Sequence, residues 1–187
     1  MKIGIYSGSF APVHKGHIKI VREVLKSKSV DKVLIVPTKE YWDKKINYSL
    51  KDRINMLKLY ETKHIEIDTK LNNTNGTYEL LSKYQSKHPN DEFYLILGAD
   101  NLTQFEKWIN YRKLLEYPFI IIKRDKQGCS YIKKRMKELN KTNYIILDIP
   151  NIEISSTFIR ENINNPKLLR NKIDPRVYNY IKNKAIS

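Results

Sequence analysis

The chain of 187 residues carries 35 Lys and Arg against 20 Asp and Glu, a formal charge of +15, and is 41% hydrophobic and 29% charged. That balance suits a globular domain with a real core and excludes a disordered or fibrous chain. A lone cysteine, Cys129, excludes an internal disulfide framework and a cysteine-built metal cluster. No apolar run approaches the roughly 18 residues of a membrane span. Residues 1–10 lack the apolar stretch and cleavage site of a signal peptide, so the expected location is the cytoplasm, with no membrane partner. The positive excess attracts polyanions, among them nucleic acids, nucleotides and phosphorylated metabolites. The lysines are scattered, with only short clusters such as Lys133-Lys134-Arg135. A solvated basic surface is therefore the first expectation, and no specific nucleic acid is called as a partner.

In chain order, residues 3–7 read as a strand and 17–26 as a helix. The run KVLIVP at 32–37 is a second strand, and a helix starts at Ser49 with Ile54, Leu57 and Leu59 as apolar positions. A short strand is expected at 64–67, a helix at 77–87, and strands at 93–97 (FYLIL) and 119–123 (FIIIK). A basic helix covers about 130–139, and 144–147 (YIIL) is the last strand. Asp174-Pro175 supplies an N-cap and a first-turn proline for a final helix through Lys184. No internal repeat or low-complexity linker interrupts the pattern. Short, uniformly apolar strands alternating with helices predict an α/β fold: one Rossmann-like domain over 1–187, its parallel sheet covered by helices on both faces, with a small C-terminal helical part.

In such sheets ligands bind beyond the carboxyl ends of the strands. Three segments with unusual chemistry follow strand ends here: 8–17, 98–101 and 155–160. In the first, Gly8 and Ser9 let the backbone approach an anion, and the helix that follows offers N–H groups and a positive dipole end. His14 and His17, three apart, would share one face of a helical turn. Gly16 leaves room for a ligand against the backbone. Two histidines could instead hold a metal, but no cysteine or nearby carboxylate completes a set, and no metal ligand is assigned. The dinucleotide fingerprint Gly-x-Gly-x-x-Gly is absent. In the last segment Ser155 or Ser156 would cap a helix opened by Thr157, with Arg160 one turn in, able to hold phosphate oxygens through its planar fork. Alone, that segment reads equally as a plain cap beside a surface arginine.

Taken together, His14-Lys15-Gly16-His17 and Ile154-Ser155-Ser156-Thr157-Phe158-Ile159-Arg160 resemble the two signatures of the nucleotidyltransferase superfamily, (H/T)xGH and (I)SSTxIR. Within it the chain looks closest to the nicotinate (nicotinamide) mononucleotide adenylyltransferases of NAD biosynthesis. The resemblance runs through Ile35-Val36-Pro37-Thr38, Arg53-x-x-Met56-Leu57, Leu97-Gly98-Ala99-Asp100-Asn101, Trp108 and Val177-x-x-Tyr180-Ile181. Departures are Ala11 where the family has Asp, residues 40–45 in place of Pro-Pro-His-Lys, and Gly76-Thr77 in place of Tyr-Thr.

The resemblance implies an adenylyltransferase that joins AMP from ATP to nicotinic acid mononucleotide, giving deamido-NAD and pyrophosphate. It implies His14, His17 and Arg160 as catalytic residues. Gly8, Ser9, Phe10, Gly16, Ser156, Thr157 and Asp100 would bind ATP. Thr77, Trp108 and Lys44 would bind the mononucleotide, and Mg²⁺ would accompany ATP without a dedicated cage. Asp100 reads otherwise as a helix cap, Trp108 as a core aromatic and Lys44 as solvated. The alternatives are another nucleotidyltransferase such as pantetheine-phosphate adenylyltransferase, or a basic, non-catalytic nucleic-acid-binding protein. A homo-oligomer is left open.

Overall fold

In the computed structural model, which describes residues 1–38, 48–70, 74–123, 128–149 and 154–184, the apolar runs form six strands. These are β1 (Lys2–Gly8), β2 (Lys32–Pro37), β3 (Ile65–Ile67), β4 (Glu92–Gly98), β5 (Phe119–Lys123) and β6 (Tyr144–Asp148). Every neighbouring pair is parallel, in the order β3-β2-β1-β4-β5-β6. The winding therefore reverses between β1 and β4, which is where an open α/β sheet leaves a crevice for a ligand.

The helices are α1 (Lys15–Lys26), α2 (Leu50–Lys58), α3 (Thr77–Lys87), α4 (Tyr111–Leu114), α5 (Cys129–Glu138), α6 (Ser156–Glu161), α7 (Pro166–Leu169) and α8 (Pro175–Lys184). A 3-10 run, Ala99–Lys107, follows β4 directly. Alternate strand residues face opposite cores. Tyr6, Ile35, Ile96 and Ile122 pack with α1, α2, α6 and α8 on one face. Ile5, Leu34, Leu95 and Ile121 pack with α3, α5 and the 3-10 run on the other. Both faces being buried explains why the strands read as continuous apolar runs. Among the described residues no helix is long and apolar enough to cross a membrane.

Differences from the sequence reading are local. The first helix begins at Lys15 rather than near 17, because His14, in extended conformation, is its N-cap. Ser156 rather than Thr157 is the first residue of α6, since Ser155 is the cap and accepts from Phe158 N–H at 3.1 Å. The 3-10 run, α4 and α7 were not expected. α4 and α7 are short, and the 3-10 run buries Ala99, Leu102 and Phe105 every three positions rather than at the α-helical 3.6. Residues 40–45, Lys44 among them, lie outside the described residues.

Candidate active site

The loop after β1 sits at the reversal point, and its peptide orientations decide what it can bind. The Gly8 carbonyl accepts from Thr38 N–H at 2.9 Å, on the β2 side of β1. Carbonyl and N–H of a trans peptide point in opposite directions, so the Ser9 N–H is directed to the β4 side. Pairing between β1 and β4 extends only to Tyr6 and Ile96, so that N–H faces the gap where the two strands part. The Ser9 carbonyl accepts from Arg53 Nη1 at 2.7 Å, which turns the Phe10 N–H away from α2 as well. The Ser9 N–H thus faces the crevice and the Phe10 N–H points away from Arg53, an arrangement suited to an anion.

Phe10 holds a left-handed backbone, φ 46°, costly for a residue with a side chain. Its ring is buried, folds back over Gly8 and meets Tyr6 and His17 edge-on at 5.4 and 5.0 Å between centroids. The phenylalanine ring is therefore packing, and what this residue offers a ligand is its N–H.

His14 and His17 do come together, but not as two residues on one helical turn. The His14 ring, 3% exposed, stacks on that of His17 at 3.7 Å. The His14 backbone N–H donates to His17 Nδ1 at 3.2 Å. With Nδ1 accepting, the proton of the neutral His17 ring sits on Nε2, which makes Nε2 the donor. His17 is only partly buried. The His14 ring thus braces that of His17 by stacking against it. The start of α1 is less open than the sequence reading held. Lys15 N–H donates to the Lys172 carbonyl at 3.0 Å and His17 N–H to the His14 carbonyl at 3.0 Å. Gly16, buried between them, keeps the remaining early N–H.

The C-terminal signature closes over this loop. Ser156 Oγ donates to the Pro12 carbonyl at 2.9 Å, and Arg160 Nη1 to the Ala11 carbonyl at 2.7 Å. Arg160 Nη2 also donates to Thr157 Oγ1 at 3.0 Å. Ser156 and part of Arg160 are engaged in joining the second signature to the loop that precedes the first. Thr157 is exposed and Arg160 half-buried.

On the other side of the crevice, Asp100 lies exposed inside the 3-10 run whose cap is Gly98, so it is not the cap of a helix beginning at Asn101. Trp108 ends that run, half-buried, its ring 5.4 Å from Phe105. Thr77 opens α3 after Gly76, whose φ of +108° favours glycine. A Cβ added at Gly76 would stand 3.5 Å from Ile109 Cβ. The structure therefore brings the Thr77 turn against the Trp108–Ile109 segment, the two elements expected to flank a ring. No group of three or more His, Cys, Asp or Glu able to hold a metal exists among the described residues.

Sequence reading did not place Arg53 at the site. It is 2% exposed, and its Nη1 also donates to the Thr38 carbonyl at 2.7 Å, with Nε to Tyr48 O at 3.3 Å. The clue is its spacing to Met56, Leu57 and Tyr60, which puts Arg53 on the buried stripe of its helix. Its neighbour Asp52, also buried, accepts from Ser49 Oγ at 2.5 Å, from Tyr180 OH at 3.0 Å and from Lys184 Nζ. Burial alone would raise this carboxyl, but the Lys184, Ser49 and Tyr180 hydrogen bonds prevail and bring its pKa down to about 2. Helix α8 is thereby latched to the helix whose Arg53 grips the loop after β1.

A cytidylyltransferase-like family profile matches residues 5–162, most of the chain and both signatures. The chain belongs to that family. A "probable nicotinate-nucleotide adenylyltransferase" of Flavobacterium psychrophilum is 35% identical over 97% of this chain and 96% of its own length. One of Clostridium tetani is 32% identical over 97% and 96%. Among solved structures, a Plasmodium falciparum nicotinic acid mononucleotide adenylyltransferase complexed with NaAD superimposes with TM-score 0.84 at 26% identity, covering 98% of this chain and 95% of that one. In this member of the cytidylyltransferase-like family, the C-terminal signature is bonded to the loop that leads into the first, through Ser156–Pro12 and Arg160–Ala11.

Proposed function

We propose that this chain is a nicotinate-nucleotide adenylyltransferase, transferring AMP from ATP to nicotinic acid mononucleotide. The observation that carries the reading is the bonding of the second signature to the loop that leads into the first, at the reversal of the sheet, within a chain similar end to end to relatives bearing that name. The mononucleotide phosphate attacks the α-phosphorus of ATP in line. The new P–O bond forms as the bond to the β-phosphate oxygen breaks, and the pyrophosphate takes that electron pair. No covalent intermediate is required, so orientation and charge stabilisation carry the catalysis.

In this reading His17 Nε2–H donates to the α-phosphate as charge gathers there, and His14 holds its ring in place. The Ser9 and Phe10 N–H groups line the junction of the phosphates, beside Gly8 and Gly16. Thr157 and Arg160 take the departing β- and γ-phosphates, with Ser156 fixing the turn beneath them. Asp100 accepts a ribose hydroxyl. Trp108 stacks on the pyridine ring, with Thr77 and the adjacent N–H groups toward its carboxylate and Lys44 toward the mononucleotide phosphate. Donors, hydroxyls and a cation suit phosphate oxygens better than a metal, so Mg²⁺ fits as an ion carried in on the triphosphate. When bound it neutralises charge on the leaving pyrophosphate.

The test is pyrophosphate release from ATP with a panel of acceptors at one ionic strength: nicotinic acid mononucleotide, nicotinamide mononucleotide and pantetheine phosphate. The expected result is the highest kcat/KM with the acid. Preference for the amide overturns the acceptor, and turnover with pantetheine phosphate alone overturns the branch. Salt-steep nucleic-acid binding with no pyrophosphate release overturns the enzyme.

A further inference from the structure

We infer that Arg53 is a positioning residue for adenylyl transfer, its buried guanidinium holding the Ser9–Phe10 peptide in the orientation that presents an N–H to the phosphates. The inference rests on the reaction proposed above.

Helix α2 needs no charge here to stay on the sheet. Met56 and Leu57 are fully buried beneath it, and Asp52 latches it to α8. What the Arg53 cation adds is a grip on three separate backbone points. Nη1 is shared between the carbonyls of Ser9 and Thr38, and Nε donates to that of Tyr48. One side chain thus ties the residue after β2, the residue before the α2 cap and the loop after β1 together. A guanidinium suits this task because its donors are fixed in one plane and its charge does not titrate.

The peptide it holds is under strain. Phe10 stands at φ 46°. A flip of the Ser9–Phe10 peptide would change that angle by about 180°, into the ordinary negative region. The same flip would reverse the N–H and aim it toward α2, leaving the carbonyl to face the phosphates. The relaxed loop is thus the one that repels an anion. The Arg53–Ser9 hydrogen bond opposes that relaxation, and it does so without touching substrate.

The test compares the full-length parent with Arg53→Ala and Arg53→Lys, measuring thermal midpoint, folded fraction, and kcat and KM for both substrates. The expected result is that kcat per folded molecule falls on the order of 10–100-fold in Arg53→Ala. A smaller loss is expected in Arg53→Lys, which can still reach one carbonyl, and KM for the mononucleotide changes less than about threefold. Millimolar guanidinium restores part of the turnover of Arg53→Ala and none to the parent. The role is overturned if both variants keep kcat per folded molecule within about twofold of the parent, so that activity follows folded fraction alone. It is equally overturned if neither variant folds, which would make Arg53 a requirement of the fold. The parent's own pyrophosphate release separates these outcomes from a failure of the proposed reaction.

Discussion

Replacing Asp52 with Asn keeps the shape of a buried side chain and removes its charge. The carboxyl titrates at about 2 in the folded chain against an ordinary 3.8. Each pKa unit corresponds to about 1.4 kcal/mol, so the depressed value is worth about 2 kcal/mol to the folded state. Because the folded pKa lies below the unfolded one, this stability is fully present above pH 4 and disappears as pH falls from about 4 to 2. For a chain of this size, 2 kcal/mol shifts the melting midpoint by roughly 4–8 °C. The Lys184 side chain is 54% exposed, so salt weakens the pair and favours the lower end of that range. Melting curves of parent and Asp52→Asn at pH 7, 5, 4 and 3 provide the assay. The variant should melt lower at pH 7 and 5, and the gap should narrow in acid as the parent's carboxyl becomes protonated. Equal midpoints at pH 7, or a gap that stays constant into acid, would refute the reasoning.

Three further outcomes are expected. His17→Ala should lower kcat by a factor on the order of 10²–10³ while the thermal midpoint holds, and parental turnover would remove His17 from the site. Arg160→Lys should raise KM for ATP about tenfold, since one ammonium cannot serve both the Ala11 carbonyl and phosphate oxygens; an unchanged KM in an active enzyme contradicts that role. Gly4→Ala would place a Cβ 2.7 Å from Ile96 Cδ1 in the centre of the sheet. It should cost about 1–3 kcal/mol in denaturant unfolding with little change in kcat, whereas parental stability would mean the strand yields more easily than its packing implies.

The strands were legible because burial on both faces makes each a short apolar run, and the five longer helices, α1, α2, α3, α5 and α8, were all expected from the sequence. Lys32–Pro37, Thr77–Lys87 and Phe119–Lys123 fall where the pattern puts them. The signatures named the segments that meet at the crevice, but not how each residue is used. That Phe10 is a plug, that His14 lies beneath His17, and that Ser156 bonds to Pro12 depend on backbone directions and on contacts between distant segments, which no local spacing encodes. Arg53 was readable as part of a buried helical stripe, yet its three carbonyl partners lie in other segments. Lys44 stays a proposal resting on the sequence.

The bonds from Ser156 to Pro12 and from Arg160 to Ala11 span 144 and 149 positions. A ribosome therefore makes the front of this site more than 140 residues before its back. Until residues past 160 have left the exit tunnel, the carbonyls of Ala11 and Pro12 lack these protein donors. Because closing so long a loop is slow relative to pairing neighbouring elements, the site should mature after the sheet during folding. Catalytic competence in this chain is thus a late event in its biogenesis, and a polypeptide halted before α6 would carry the first signature without the second.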